Sequence, residues 1–180
     1  MRPTPIQYAH ALRATVGDLA AFRAAITDLE RVSAFVGIDP TFQAFFAHGE
    51  VPTDRKEELL HQAFRRPIGA EAFAVAHLLL DRRSIQELSA VVAAAARLAD
   101  VEEGIARVRI ESARAVPDAE RTSVEHAIHE AVHRPIRATY TERPELVAGF
   151  RVTVDDSWEW DGTVAGRLQR LAAHIRTTSV

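Results

Sequence analysis

The hydrophobic period changes once along this chain, at Glu102-Glu103-Gly104, and that change constrains the fold more than any other feature. Before it, apolar residues recur every three or four positions, the period of a helix packed on one side. After it, Ala106, Val108 and Ile110 alternate with Arg107, Arg109 and Glu111, the period of a half-buried strand. Helices first and strands afterwards imply an α+β protein of two domains, a helical one over 1–104 and a small α/β one over 105–180.

The first part divides into six helical stretches. Ile6, Ala9, Leu12 and Val16 form one stripe, stopped by Gly17-Asp18; Leu19, Phe22, Ile26, Leu29 and Val32 form the next. Asp39-Pro40 opens a short helix with Phe42, Phe45 and Phe46, and Pro52-Thr53-Asp54 opens another through Leu59, Leu60 and Phe64. Gly69 to Leu80 and Ser84 to Val101 make a final pair across the polar turn Asp81-Arg82-Arg83. Six helices on short turns predict an antiparallel bundle.

The second part reads as a short mixed sheet with two helices. A strand over "IARVRIES" precedes a helix from about Asp118 to His133, stopped by Pro135. A strand over "IRATYT" follows, with Ile136, Ala138 and Tyr140 on one side. "FRVTVDDSWEW" predicts a hairpin turning at Asp155 to Ser157, with Trp158 and Trp160 on one face. A last helix carries Val164, Leu168, Leu171 and Ile175 at i, i+4, i+7 and i+11, and the tryptophans are expected to pack over it.

Composition closes off several functions. The chain has no cysteine, which removes disulfides, thiolate metal sites and thiol nucleophiles together. A formal net charge of −3, with Lys56 the only lysine, gives no basic surface for nucleic acid. The start has no signal-peptide core, and the most apolar run, Val91 to Ala96, is far short of a bilayer span. A soluble, cytosolic protein with no direct membrane insertion is expected, although it is able to dock on a membrane complex.

One motif argues for chemistry. "HEAVH", His129 to His133, matches the zinc-protease pattern H-E-x-x-H. On a helix, His126, His129, Glu130 and His133 cluster on one side, while Val124, Ala127, Ile128 and Ala131 take the other. The apolar side is needed for the sheet, so the histidines point to water, whereas a zincin aims them into a cleft with a third ligand. The expected arrangement is His126, His129 and His133 exposed and Val124, Ile128 and Ala131 buried. Asp155 and Asp156 read as turn residues and Asp161 as a helix cap. No phosphate loop or nucleophile elbow appears, so catalytic residues, metal and cofactor are all expected to be none.

The helical part offers a surface instead. "AEAFAVAHLLL", Ala70 to Leu80, is apolar nearly all round, and beside the first helix's core stripe runs a second one of Tyr8, Ala11 and Thr15. Two adjacent helices with spare small or apolar faces make a groove for an amphipathic helix, and ordinary bundle packing explains the same pattern equally well.

"YAHAL", Tyr8 to Leu12, resembles the opening Y-A-x-A-L signature of the delta subunit of bacterial ATP synthases, the counterpart of the mitochondrial oligomycin-sensitivity-conferring subunit. "LLLDRRSIQEL" resembles that family's L-x-x-N-x-R-x-x-x-L joint, and "VRIESA", Val108 to Ala113, its V-x-V-x-S-A strand. "RPELVAGFRVTVDDSWEWDGTVAGRLQRL" is similar to its D-P-S-L-I-G-G ending. Three departures stand out: Arg143 for the acidic residue, Ala148 for a glycine and Asp81 for an asparagine.

The resemblance implies a peripheral-stalk (stator) subunit of the proton-translocating ATP synthase, with no active site. It implies that the N-terminal domain binds alpha subunits of the catalytic head, through Tyr8, Ala11, Leu12, Ala74, His77 and Leu78. It implies that the C-terminal domain meets the b subunits, on the cytoplasmic side of the cell membrane. A delta-like adaptor for another helical partner and a zinc metallohydrolase are the alternatives.

Overall fold

The computed structural model describes residues 3–64 and 68–162. Helices α1 (Pro5–Thr15), α2 (Leu19–Val36), α3 (Pro40–Ala47), α4 (Thr53–Ala63), α5 (Ala70–Asp81) and α6 (Leu88–Glu102) come first. Strand β1 (Ala106–Ser112), helix α7 (Asp118–Val132) and strands β2 (Ile136–Glu142), β3 (Phe150–Val154) and β4 (Trp158–Asp161) follow. The chain forms two compact units that divide between Ala99 and Asp100.

Local chemistry sets the helix starts. Thr4 Oγ1 accepts from the Gln7 amide at 3.4 Å and Gln7 Oε1 accepts from the Thr4 amide at 2.8 Å, a reciprocal capping box with Pro5 at the first helical position. Asp18 caps α2 through the Ala21 amide at 2.7 Å. Asp39 caps α3 through the Thr41 amide at 2.6 Å, and its hydrogen bonds with the Thr41 side chain and backbone hold its carboxyl below the usual aspartate value. The start of α5 is tied differently: the Gly69 amide donates to Asp28 Oδ2 at 2.8 Å, fastening it to α2.

Leu12, Phe22, Leu29, Phe46, Leu60, Leu79, Leu88 and Val91 fill one core in the first unit. Around it, Phe35 meets Phe42, Phe46 and Phe64 edge-on at 5.4, 6.2 and 5.5 Å. Lys56 is buried among these helices, its Nζ donating to the His48 carbonyl at 2.8 Å. Burial holds its amine below the ordinary lysine value, and the positive charge of Arg83 adds to that.

In the second unit the sheet order is β2-β1-β3-β4, with β1 parallel to β2 and antiparallel to β3, and β3 antiparallel to β4. The parallel pair requires a crossover, which α7 supplies. Ala106, Val108, Ile110, Val152 and Val154 form the core, with Val124, Ile128 and Val132 of α7 packed against it. The β3–β4 turn holds Asp155 at φ 50° and Asp156 at φ 53°. Positive φ at both positions suits the twist of a hairpin, and aspartate tolerates it better than most residues.

The sequence expectations for α1 and α7 need correction. Ile6, assigned to the core stripe of α1, is 62% exposed, and Tyr8, assigned to the spare stripe, is 5% exposed. The buried arc of α1 is Tyr8, Ala9, Leu12 and Val16, centred so that Ile6 falls outside it. On α7, Ala131 is exposed and Val124 and Ile128 are half-buried, because a groove separates part of that face from the hairpin. The expected last helix, Val164 to Ile175, lies outside the described residues.

Candidate partner-docking surfaces

Helix α5 packs against α1, α2 and α4, which accounts for much of its all-round apolar sequence. Ala72, Val75, Ala76, Leu79 and Leu80 are buried, while Glu71, Ala74, His77, Leu78 and Asp81 remain outward. On the neighbouring α1, Ala11, Ala14 and Thr15 are exposed. The six candidate contact residues therefore divide. Ala11, Ala74, His77 and Leu78 reach the surface, and Tyr8 and Leu12 lie in the core beneath.

His77 is tethered rather than free. Its Nδ1 pairs with Glu57 of α4 and its Nε2 lies 3.6 Å from Asp81 Oδ2, one helical turn on. Asp81, where the family pattern has asparagine, therefore has a local partner. Ile6 is the surface residue that the sequence reading missed. Its position near the N-terminus of α1, outside the arc of Tyr8 and Leu12, is the signal that exposes it.

The second unit carries a different feature. Val124, Ala127, Ile128 and Val132 of α7 face Phe150, Val152, Trp158 and Trp160 across an apolar groove of about 570 Å³. Trp158 and Trp160 stand directly opposite Val154 and Val152 in the register of the hairpin, so both indoles share the α7 side. They are 56% and 50% exposed.

The helix with the zinc-protease letters presents no catalytic geometry. His133 leaves α7 in a left-handed conformation, φ 56° and ψ 32°, so it does not continue the helical face of His129. His129 Nδ1 lies 3.0 Å from the Arg134 carbonyl oxygen. Among the described residues, no group of three or more histidine, aspartate or glutamate side chains converges on a point that suits a metal ion. Asp155 and Asp156 are occupied as well: Asp155 accepts from the Arg107 amide at 2.9 Å and pairs with Arg134, and Asp156 pairs with Arg109.

The loop that departs from the family pattern stores strain at an unexpected residue. Ala148 avoids positive φ, whereas Val147 takes φ 65° and ψ −55°. The Ala148 amide donates to the Leu146 carbonyl at 2.7 Å across it, which makes Val147 the centre of a strained γ-turn.

The family described as ATP synthase delta (OSCP) subunit matches residues 6–175. A relative named ATP synthase subunit delta, from Shouchella clausii (strain KSM-K16), is 26% identical over 149 residues, which is 82% of either chain. Another of that name, from Paraburkholderia phytofirmans, is 28% identical over 165 residues and 89% of either chain. A chain of the Toxoplasma gondii mitochondrial ATP synthase hexamer, solved by cryo-EM, shares the fold with a TM-score of 0.73 at 18% identity. That match covers 97% of this chain and 98% of that one.

Proposed function

The chain belongs to the ATP synthase delta (OSCP) subunit family, and from that premise we propose how its two units divide the work of a peripheral stalk. Members of this family are non-catalytic subunits of the synthase, and the protein is a peripheral-stalk subunit of that complex. Its N-terminal helices act as an antiparallel six-helix bundle that clasps N-terminal helices of alpha subunits on the catalytic head. The grip is the outward side of α1 and α5, with Ala11, Ala74, His77 and Leu78 in contact and Tyr8 and Leu12 supporting them from beneath.

The observation that carries this reading is the pairing of α1 with α5, two helices whose outward faces expose alanines where long polar side chains usually sit. Small residues let a partner helix approach closely, and the flanking Leu78 and Ile6 add apolar area. A stator joint under torque needs slow dissociation. Buried apolar surface supplies that better than exposed ion pairs, which contribute little.

The C-terminal unit meets the b subunits, which lead to the membrane. The chain then sits peripherally on the cytoplasmic side of the cell membrane. Among the described residues, no helix is long and apolar enough to cross a bilayer. The test is calorimetric titration of the full chain, first with a peptide of the alpha subunit's N-terminal helix, then with a peptide of the b subunit's C-terminal end. Saturable binding of both supports the division of labour, and failure of either removes that half of it.

A further inference from the structure

The first unit holds an open cavity of about 690 Å³ between the end of α2, one side of α3 and the start of α6. None of the six candidate contact residues on α1 and α5 lines it. We propose that it binds a small phosphate monoester, with the phosphate on Arg83 and an organic body of nucleoside size along Val36, Ala44 and Leu88.

The first support is charge. Among the described residues Arg83 is the one charged side chain in the lining, and no carboxylate faces it there. Other arginines of this chain pair with acids, as Arg31 does with Asp28 and Arg109 with Asp156. Arg83 instead has a second cation as a neighbour. Burial first, and then the charge of Arg83, hold the Lys56 amine below the ordinary lysine value, and that amine donates to the His48 carbonyl rather than to a carboxylate. Two cations around one turn, with no ion-paired acid among the described residues, favour a bound anion.

The second is how Arg83 is held. It follows α5 in a left-handed conformation, φ 52°. The Ser84 amide donates to the Leu79 carbonyl at 2.8 Å and the Arg83 amide to the Leu80 carbonyl at 2.9 Å, a helix ending in which glycine is the usual residue at this position. The bare residue is Gly49 instead, where a Cβ would come within 2.9 Å of Arg83 Nη1. The turn thus forgoes its easier residue and fixes a guanidinium in the cavity wall.

The third is the rest of the lining. Val36, Ala44 and Leu88 make an apolar side, and Ser33, Gln43, Gln86 and Ser89 add neutral donors. Such a mixture, in a cavity within the roughly 300–1,000 Å³ usual for small-molecule sites, suits an organic ligand with one charged end better than a bare ion. The carbonyl end of α2 at Gly37 disfavours negative charge, whereas the first turn of α6 at Leu88 and Ser89 favours it. That places the phosphate with Arg83 and Ser89.

The experiment titrates the full chain, labelled with ¹⁵N, with AMP, adenosine and inorganic phosphate, followed by amide shifts. AMP is expected to shift the Gln86 and Ser89 amides saturably, with a dissociation constant of about 1 mM or tighter. Adenosine, which lacks the charge, and inorganic phosphate, which lacks the organic body, are each expected to bind about tenfold more weakly. Arg83→Gly supplies the residue that the backbone favours, so the fold is retained while the AMP shifts are lost. Ala44→Glu, which puts a carboxylate on an exposed wall, is expected to lose them as well. No saturable shift by AMP up to about 10 mM would overturn the proposal, as would native affinity in both variants. Adenosine binding as tightly as AMP would overturn the role of Arg83. Inorganic phosphate binding as tightly as AMP would overturn the organic ligand.

Discussion

The Asp100 carboxylate, fully buried at the start of the second unit, receives Nε of Arg137 from β2 at 3.1 Å. Arg107 of β1 approaches its other oxygen, also at 3.1 Å. Both arginines are partly exposed, so their charges are cheap to keep, while the aspartate depends on them. Asp100→Ala is expected to destabilise the second unit by about 2 kcal/mol, and Asp100→Asn by somewhat less, in urea unfolding of the full chain. Equal stability of all three proteins would show that the pair is incidental.

Val147 is a β-branched residue held at positive φ on an exposed loop. Replacing it with glycine removes strain of about 1–3 kcal/mol, offset in part by the greater freedom of glycine in the unfolded chain. A net gain of about 1 kcal/mol is expected, read as a rise in the unfolding midpoint. A loss would mean that the valine side chain holds something the γ-turn geometry does not reveal.

Tyr140 is pushed up to about 12 by burial first, then by its hydrogen bond to Glu125 Oε1 at 3.1 Å and that carboxylate's charge, against a smaller opposing effect of Arg121. The folded phenol thus holds its proton where the unfolded one, near 10, has lost it. Its contribution is fully present below pH 10 and is lost as pH rises from 10 to 12. Allowing for partial exposure, about 1–2 kcal/mol of alkaline destabilisation is expected to disappear in Tyr140→Phe. If wild type and variant lose stability in parallel over that window, the tyrosine is not responsible.

Much of the fold was legible because strong periods leave little freedom. Ala106, Val108 and Ile110 alternate in sequence and are buried in the sheet, and the turn at Asp155-Asp156 follows from residues that tolerate positive φ. The candidate surface was legible only in part. A helix such as α1 has two adjacent stripes, and periodicity alone does not say which turns inward. The outcome was set by the arc shared by Tyr8, Leu12 and Val16, which displaced Ile6 to the surface. For the zinc-protease letters, the decisive fact was a backbone one. His133 turns left-handed before Pro135, a departure that a helical wheel extended through the motif does not register.

The proposed function rests on a grip between the outward side of α1 and α5 and a helix of the catalytic head. The most direct measurement is calorimetric titration of the full chain with the N-terminal peptide of the alpha subunit, repeated with Ala11→Arg and Ala74→Arg. A dissociation constant on the order of 10 µM or tighter is expected for the native chain, about −7 kcal/mol. Each arginine is expected to weaken it tenfold or more, with helical content unchanged. No binding by the native chain, or native affinity in both variants, would contradict it.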